Sequence, residues 1–261
     1  MQVPNHRPCV LCIGGLDPSG GAGVQADIEA IAQCGGHALP IISCLTVQNS
    51  SAALSVKSIN TKIIKQQAEA LFTDIKISAV KIGVTPSEDM VETISDIISQ
   101  LPEIPIVLDP VISASHGIKF ANQSVLDAIN ELLLPKLTVI TPNHSELNQI
   151  ITKDECITSK AQSLCKLGPQ YVFLTGVDEH SDHVINYLVD SEKVLEEYHW
   201  PRLPHSYHGS GCTVSSALTC FLAHGLEIVD ATDKAQSYTM QALELADRPG
   251  QGQSIPKRIF K

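Results

Sequence analysis

Short unbroken apolar runs alternate along the chain with longer segments whose apolar positions recur at helical spacing. Runs of the first kind predict buried strands, and segments of the second kind predict helices laid on them. Cys9 to Gly14 is the first strand, followed by the turn Gly20-Gly21-Ala22-Gly23 and a helix over Val24 to Gln33 that stops at Gly35-Gly36. Further strands are predicted at Ala38 to Val47, Ala79 to Gly83, Ile106 to Asp109, Thr138 to Thr141 and Tyr171 to Leu174. Between them fall helices near Lys62 to Phe72, Glu88 to Gln100, Gln123 to Leu134, Ser145 to Ile151 and Ser159 to Lys166.

The rhythm then changes. His183 to Val189 and Val194 to Trp200 read as an antiparallel pair around Asp190-Ser191, before helices over Gly211 to Ala223 and Val229 to Ala246. Repeated strand–helix units predict an α/β fold, a three-layer α/β/α sandwich with a mostly parallel central sheet and an antiparallel edge. No linker, repeat or low-complexity stretch interrupts the pattern, so residues 1–261 are expected to form a single domain.

Ligands of such sheets bind outside the carboxyl ends of the strands. Polar or glycine-bearing residues fall there repeatedly: Gly14-Gly15-Leu16-Asp17, Gln48-Asn49, Lys81-Ile82-Gly83, Asp109-Pro110-Val111, Thr141-Pro142-Asn143 and Thr175-Gly176. Their convergence on one rim is a stronger signal than any one of them.

Composition narrows the classes. Hydrophobic residues make up 43% and aromatics only 4%, which suits aliphatic strands covered on both faces. The formal net charge is −10 and no Lys/Arg cluster is present, which argues against a nucleic-acid partner. An acidic protein that holds a polyphosphate must do so with backbone N–H groups and a metal. No apolar run approaches membrane length and no secretory leader pattern is seen. The eight cysteines are scattered through apolar segments, so reduced core thiols in a cytoplasmic protein are expected. Cys9 and Cys12 have C-x-x-C spacing, but on a strand they face opposite sides and cannot share a metal.

The strongest motif is His208-Gly209-Ser210-Gly211-Cys212-Thr213, opening a long apolar helix. Gly209, Ser210 and Gly211 leave consecutive backbone N–H groups free for one anion, the charge that builds on a transferring phosphoryl group. Cys212 sits where the helix dipole lowers a thiol's pKa, and a thiolate there accepts a proton from an attacking hydroxyl. Gly20-Gly21-Ala22-Gly23 lacks the G-K-[ST] ending of a P-loop and reads as a turn bringing Asp27 close to a small ligand. The Gln48 carboxamide matches the amino group and ring nitrogen of an aminopyrimidine. Asn143 and Glu146 form an N-x-x-E pattern that serves a helix capping box and a Mg²⁺ site alike. Asp109 is a second carboxylate for organising the metal or the acceptor.

These blocks, in order from residue 14 to about 256, resemble the hydroxymethylpyrimidine/phosphomethylpyrimidine kinases of thiamine biosynthesis. The resemblance rests on Gly14 to Asp27, Thr46-Val47-Gln48-Asn49, Lys81-Ile82-Gly83, Leu108-Asp109-Pro110-Val111, Ile140 to Glu146, His208 to Thr213, and Gly250-Gln251-Gly252 before Pro256. It implies a ribokinase-like fold with a nine- or ten-stranded sheet, Mg²⁺, ATP as co-substrate and a homodimer. It also implies that Gly15, Asp27, Gln48 and Val111 contact the pyrimidine, and that Asn143, Thr175, Gly176 and Gly211 meet the nucleotide. Asp109 and Glu146 would hold the metal, Gly209 to Gly211 would form the anion hole, and Cys212 would be the base. Many ribokinase-like sugar kinases and pyridoxal kinases carry Asp at the position of Cys212. Two residues depart from the family pattern: Thr175 stands where longer members have Lys, and Val84 where many have Met. The expected activity is phosphorylation of 4-amino-5-hydroxymethyl-2-methylpyrimidine and then of its monophosphate. The alternatives are a pyridoxal kinase and a non-catalytic pyrimidine-binding protein on a kinase scaffold.

Overall fold

The computed structural model describes residues 7–113, 118–153, 155–177 and 182–261. Its strands are β1 (Cys9–Leu16), β2 (His37–Gln48), β3 (Ala53–Ser58), β4 (Ile77–Ile82), β5 (Ile106–Leu108), β6 (Val139–Ile140), β7 (Tyr171–Val177), β8 (His183–Val189) and β9 (Val194–Pro201). The helices are α1 (Gly23–Gln33), α2 (Thr61–Phe72), α3 (Glu88–Ile98), α4 (Gln123–Ala128), α5 (His144–Ile150), α6 (Ile157–Cys165), α7 (Ser210–Ala223) and α8 (Ile228–Glu244).

The strands form one sheet in the order β3-β2-β1-β4-β5-β6-β7-β8-β9. Strands from β2 to β7 are parallel in that order, whereas β3 pairs antiparallel with β2, and β8 and β9 run antiparallel at the far side. The sheet is therefore antiparallel at both edges, one more than the pattern predicted. β3 was missed because it is an edge strand with mixed burial and no apolar run of its own: Ala53 is buried, while Leu54, Ser55, Lys57 and Ser58 are exposed.

Period-2 alternation separates the two layers. Leu11, Ile13, Leu108, Ile140, Val172 and Leu174 face the core formed with α2 to α6. Val107, Val139 and Phe173 face the core made with α7 and α8. Cys12 lies on that second side against Ile31 and Cys220, while Cys9 packs against the first core, so the two thiols face opposite ways as expected. All eight cysteines are free, but Cys156 is exposed rather than a core thiol.

The helix expected over Gln123 to Leu134 keeps its span but not its pitch. It widens to a π-helical turn at Ile129–Leu133 and tightens to a 3₁₀ turn at Leu134–Lys136, where Pro135 cannot donate to the preceding turn. Among the described residues no helix is long and apolar enough to cross a membrane.

The chain passes from β1 to β2 on one side and later returns to β4 on the other side of β1. A crevice opens outside the carboxyl ends at such a reversal of direction. Gly14-Gly15 near the carboxyl end of β1, Gly83-Val84 after β4 and Asp109 after β5 all line one cavity there.

Candidate active site

The cavity of about 190 Å³ has an apolar wall and a polar floor. Val84, Phe120 and Ala53 make the wall with Val111 beside them, and Cys44 packs behind Gly15. A Cβ on Gly15 would come within 2.9 Å of Cys44 Sγ, which explains the glycine.

Of the residues anticipated from sequence, Gly15, Gln48, Asp109, Val111, Asn143, Glu146, Thr175, Gly209, Ser210, Gly211 and Cys212 all line this one cavity. Two do not. Asp27 is wholly buried beneath Gly14, where its carboxylate accepts from Ser216 Oγ at 2.6 Å and pairs with Lys81 Nζ at 2.9 Å. Its place is therefore under the floor, one layer away from any ligand. Gly176 is absent from the cavity lining, and its N–H donates to Asn186 Oδ1 at 2.9 Å.

Lys81 is fully buried yet borders the cavity, with Nζ 3.7 Å from Asp109 Oδ2. Burial disfavours its charge, but the carboxylates of Asp27 and Asp109 more than offset this and raise its pKa. Asp109 is pushed up by burial, with Lys81 and hydrogen bonds from Cys212 and Ser215 working against that.

Gly209 caps the start of α7; its φ of 82° lies in the left-handed region and its neighbour Gly21 leaves no room for a Cβ. Cys212 lies in the first turn, as expected, but its thiol is not activated at rest. Burial comes first and the Asp109 carboxylate adds to it, so that despite Lys81 the thiol is pushed up to about 12. At neutral pH it is a neutral S–H. The expectation of a resting thiolate is corrected on that ground: loss of hydration at the half-buried floor outweighs the helix end.

Glu146 and Asn143 form a complete capping box: Asn143 N–H donates to Glu146 Oε2 and Glu146 N–H to Asn143 Oδ1, both at 2.9 Å. Burial, with the charge of Asp109 adding to it, pushes the Glu146 carboxyl up to about 8. Two carboxylates that repel one another across a cavity fit a hard divalent cation, which Mg²⁺ binding through one or two carboxylates and phosphates requires. Asp109 and Glu146 would hold it, and it would neutralise the nucleotide phosphates when bound. Among the described residues no three His, Cys, Asp or Glu side chains cluster as a self-sufficient metal site.

Sequence reasoning missed the organiser of the rim. Asp17 Oδ1 accepts from Ser19 N–H at 2.9 Å and Oδ2 from Ala22 N–H at 3.0 Å, so the Asp17-Pro18-Ser19-Gly20 turn is built around this side chain. The signal was present, because Asp followed by Pro and Ser favours this kind of turn. Burial opposes its charge, yet hydrogen bonds from His208 and Ser19 prevail and hold the carboxyl below its ordinary range. His208 Nε2 lies 2.7 Å from Asp17 Oδ2 and 2.9 Å from the Gln48 amide. A carboxylate only accepts, so the ring nitrogen carries its proton toward Asp17. That proton is spent on Asp17, so the Gln48 amide nitrogen beside the same ring atom finds no acceptor there. With the amide turned, its oxygen is at most a second acceptor of the shared proton while the NH₂ group faces the cavity. His144 and His205, also near the site in sequence, do not line it.

Residues 17–257 match the profile of a family described as phosphomethylpyrimidine kinase. The chain belongs to the phosphomethylpyrimidine kinase family. A hydroxymethylpyrimidine/phosphomethylpyrimidine kinase of Streptomyces coelicolor is 31% identical over 92% of this chain and 90% of its own length. A phosphomethylpyrimidine kinase structure from Clostridium difficile superposes with a TM-score of 0.79 at 30% identity, covering 91% of this chain and all of the other (100%). The ADP complex of Bacillus subtilis pyridoxal kinase gives a TM-score of 0.85 at 29% identity, covering 97% of each chain. As a member of the phosphomethylpyrimidine kinase family, the chain is a kinase with the ribokinase-like fold and ATP as co-substrate.

Proposed function

We propose that this kinase transfers the γ-phosphoryl group of Mg-ATP to the hydroxymethyl group of 4-amino-5-hydroxymethyl-2-methylpyrimidine, and then to the resulting monophosphate. The single observation that carries the reading is the cavity itself: an apolar slot closed by the Gln48 amide abuts the open helix start Gly209-Ser210-Gly211. The slot suits a flat aminopyrimidine, with Val111 and Val84 on its wall and the Gln48 NH₂ turned to a ring nitrogen. The hydroxymethyl carbon then points to Cys212 and the anion hole. Asn143 and Thr175 border the nucleotide side, and Asp109 and Glu146 hold Mg²⁺.

The continuous sheet supports reading residues 1–261 as one domain, and the eight free cysteines fit a protein acting in the cytoplasm. A homodimer is supported by Leu45, Val47 and Leu54, which are 42%, 57% and 65% exposed on the adjoining strands β2 and β3.

Mass spectrometry of reactions with purified protein, Mg-ATP and either hydroxymethylpyrimidine or pyridoxal tests the function. One phosphate added to the pyrimidine supports the kinase reading and two support the double activity. Phosphate on pyridoxal alone moves the substrate to the ring chosen by the Bacillus subtilis enzyme, and no product from either alcohol leaves a binding protein.

The two roles of Glu146 separate in Glu146→Gln. The amide still accepts from Asn143 N–H, so the helix cap survives; the melting temperature stays level near neutral pH, where the buried carboxyl is largely protonated, and rises above wild type only at pH above about 8. The Mg²⁺ concentration for half-maximal activity should rise about tenfold. An unchanged magnesium requirement would reduce Glu146 to a cap.

A further inference from the structure

The segment following α8 runs back across the site and ends its course beneath it. Gln253 N–H donates to Ser50 O at 2.9 Å, and His208 N–H to Ser254 O at 2.8 Å, tying this segment to the end of β2 and to the entry of α7. Arg258 comes last. It is 1% exposed and among the largest fully buried side chains of the protein, an unusual place for a guanidinium.

Its donors are shared among three elements. Nε donates to Thr213 Oγ1 at 2.8 Å, Nη1 to Gly20 O at 3.4 Å and to Glu29 Oε2 at 3.3 Å, and Nη2 to Gly21 O. Only a planar fork of several N–H groups answers this set of acceptors at once; an ammonium is a point charge.

Each contact leads to the start of α7. The peptide between Gly21 and Ala22 is gripped on both sides, its carbonyl by Arg258 and its N–H by Asp17 Oδ2. That carbonyl is the surface on which Gly209 packs. On the other side, Thr213 Oγ1, which accepts from Arg258, donates to Gly209 O at 2.7 Å. The cap residue of the anion hole is thus located by Arg258 twice, through the glycine turn and through its own carbonyl. The first-turn N–H groups of Ser210, Gly211 and Cys212 take their direction from that cap.

We propose that Arg258 is a positioning residue for phosphoryl transfer, fixing the glycine turn and the first turn of α7 so that the anion hole is preformed for the transition state. Its cation, 3.3 Å from the partly exposed Glu29, lies behind the same helix start and adds to the positive end of the dipole. Arg258 touches neither substrate, because it is buried and absent from the cavity lining. The inference rests on the reading of Gly209 to Gly211 as the anion hole.

The test compares the wild type with Arg258→Met, Arg258→Lys, Thr213→Val and Gly211→Ala. The readouts are kcat, pyrimidine KM, melting temperature, and affinity for Mg-ADP with and without tetrafluoroaluminate, a mimic of the transferring group. Arg258→Met should lower kcat about 10- to 100-fold, since loss of a single oxyanion donor costs more than its misalignment. Pyrimidine KM and Mg-ADP affinity should stay within about threefold, while tetrafluoroaluminate affinity falls in step with kcat. Arg258→Lys should lie between Met and wild type. A folded Arg258→Met enzyme with wild-type kcat overturns the proposal. So does a loss of kcat in which the tetrafluoroaluminate affinity is untouched, the signature of general loosening. If Arg258→Met does not fold, Thr213→Val decides: it removes the Nε acceptor, and unchanged kcat in that variant overturns the idea. Gly211→Ala reports on the anion hole alone, because a Cβ there meets nothing nearer than Asp109 Oδ1 at 3.8 Å. If Gly211→Ala also leaves kcat intact, the anion-hole reading fails, and Arg258 as its positioner fails with it. A wild-type chain that phosphorylates neither alcohol would sink the substrate reading and leave the tetrafluoroaluminate arm to judge Arg258.

Discussion

Replacing Cys212 by alanine is expected to lower kcat about 100-fold, the lower end of what a positioned proton-transfer group contributes, while pyrimidine binding by calorimetry stays within about twofold. The thiol sits at the floor of the cavity and donates to Asp109, so an approaching hydroxyl meets a sulfur whose own proton is already committed elsewhere. A thiol pushed up to about 12 is no ready-made base. It can still accept a hydroxyl proton as it yields its own to the carboxylate, and the loose transition state of phosphoryl transfer asks for little more. Cys212→Ser separates this from thiolate chemistry. A serine that keeps the donor and acceptor should retain more activity than alanine. Serine and alanine variants of equal activity would mean that sulfur itself is required, and wild-type turnover in the alanine variant would remove Cys212 from the reaction.

That correction shows what the sequence could and could not convey. Position in the first turn of α7 was legible from Gly209-Ser210-Gly211, because two glycines before an apolar helix have few other uses. The sign of the pKa shift was not, since it depends on Asp109, Lys81 and the loss of hydration, contributed by strands far away in the chain. Asp27 failed for a similar reason. It follows the glycine turn in sequence, but one helical turn into α1 it points under Gly14 and into Ser216 and Lys81. Gly176 stands in sequence as a glycine-bearing strand end, and nothing local reveals that Asn186, from a strand running the other way, occupies its N–H. The parallel core of the sheet was legible throughout, because strands covered on both faces are written as apolar runs. β3 was not, because an edge strand with exposed residues carries no such run. Phe120 and Gln253, which line the cavity from loops, had no local pattern to announce them.

Lys81 joins the fold to the chemistry most tightly, and Lys81→Met should show it as a loss of stability of about 3–5 kcal/mol at pH 7.5 in urea unfolding, the cost of stranding one member of a buried ion pair. The side chain is wholly buried, 2.9 Å from Asp27 Oδ1 and 3.7 Å from Asp109 Oδ2, so its removal leaves two carboxylates without a cation. Asp27 suffers most, because its Oδ2 already lacks a hydrogen-bond partner among the described residues. Asp109, whose carboxyl is pushed up by burial even beside Lys81, rises further once that cation is gone, so the folded chain binds a proton that the unfolded chain releases. Stability is then recovered as the pH is lowered toward that of the unfolded carboxyl and lost again as it rises, opposite to a paired Asp. Adding Asp27→Asn to Lys81→Met should return much of the loss, because the amide keeps the acceptor for Ser216 Oγ without the charge. A double variant no more stable than Lys81→Met would place the cost in lost packing of the lysine stem. A Lys81→Met protein that unfolds at the wild-type urea concentration would show that the pair contributes nothing to the floor on which Cys212 and Asp109 sit.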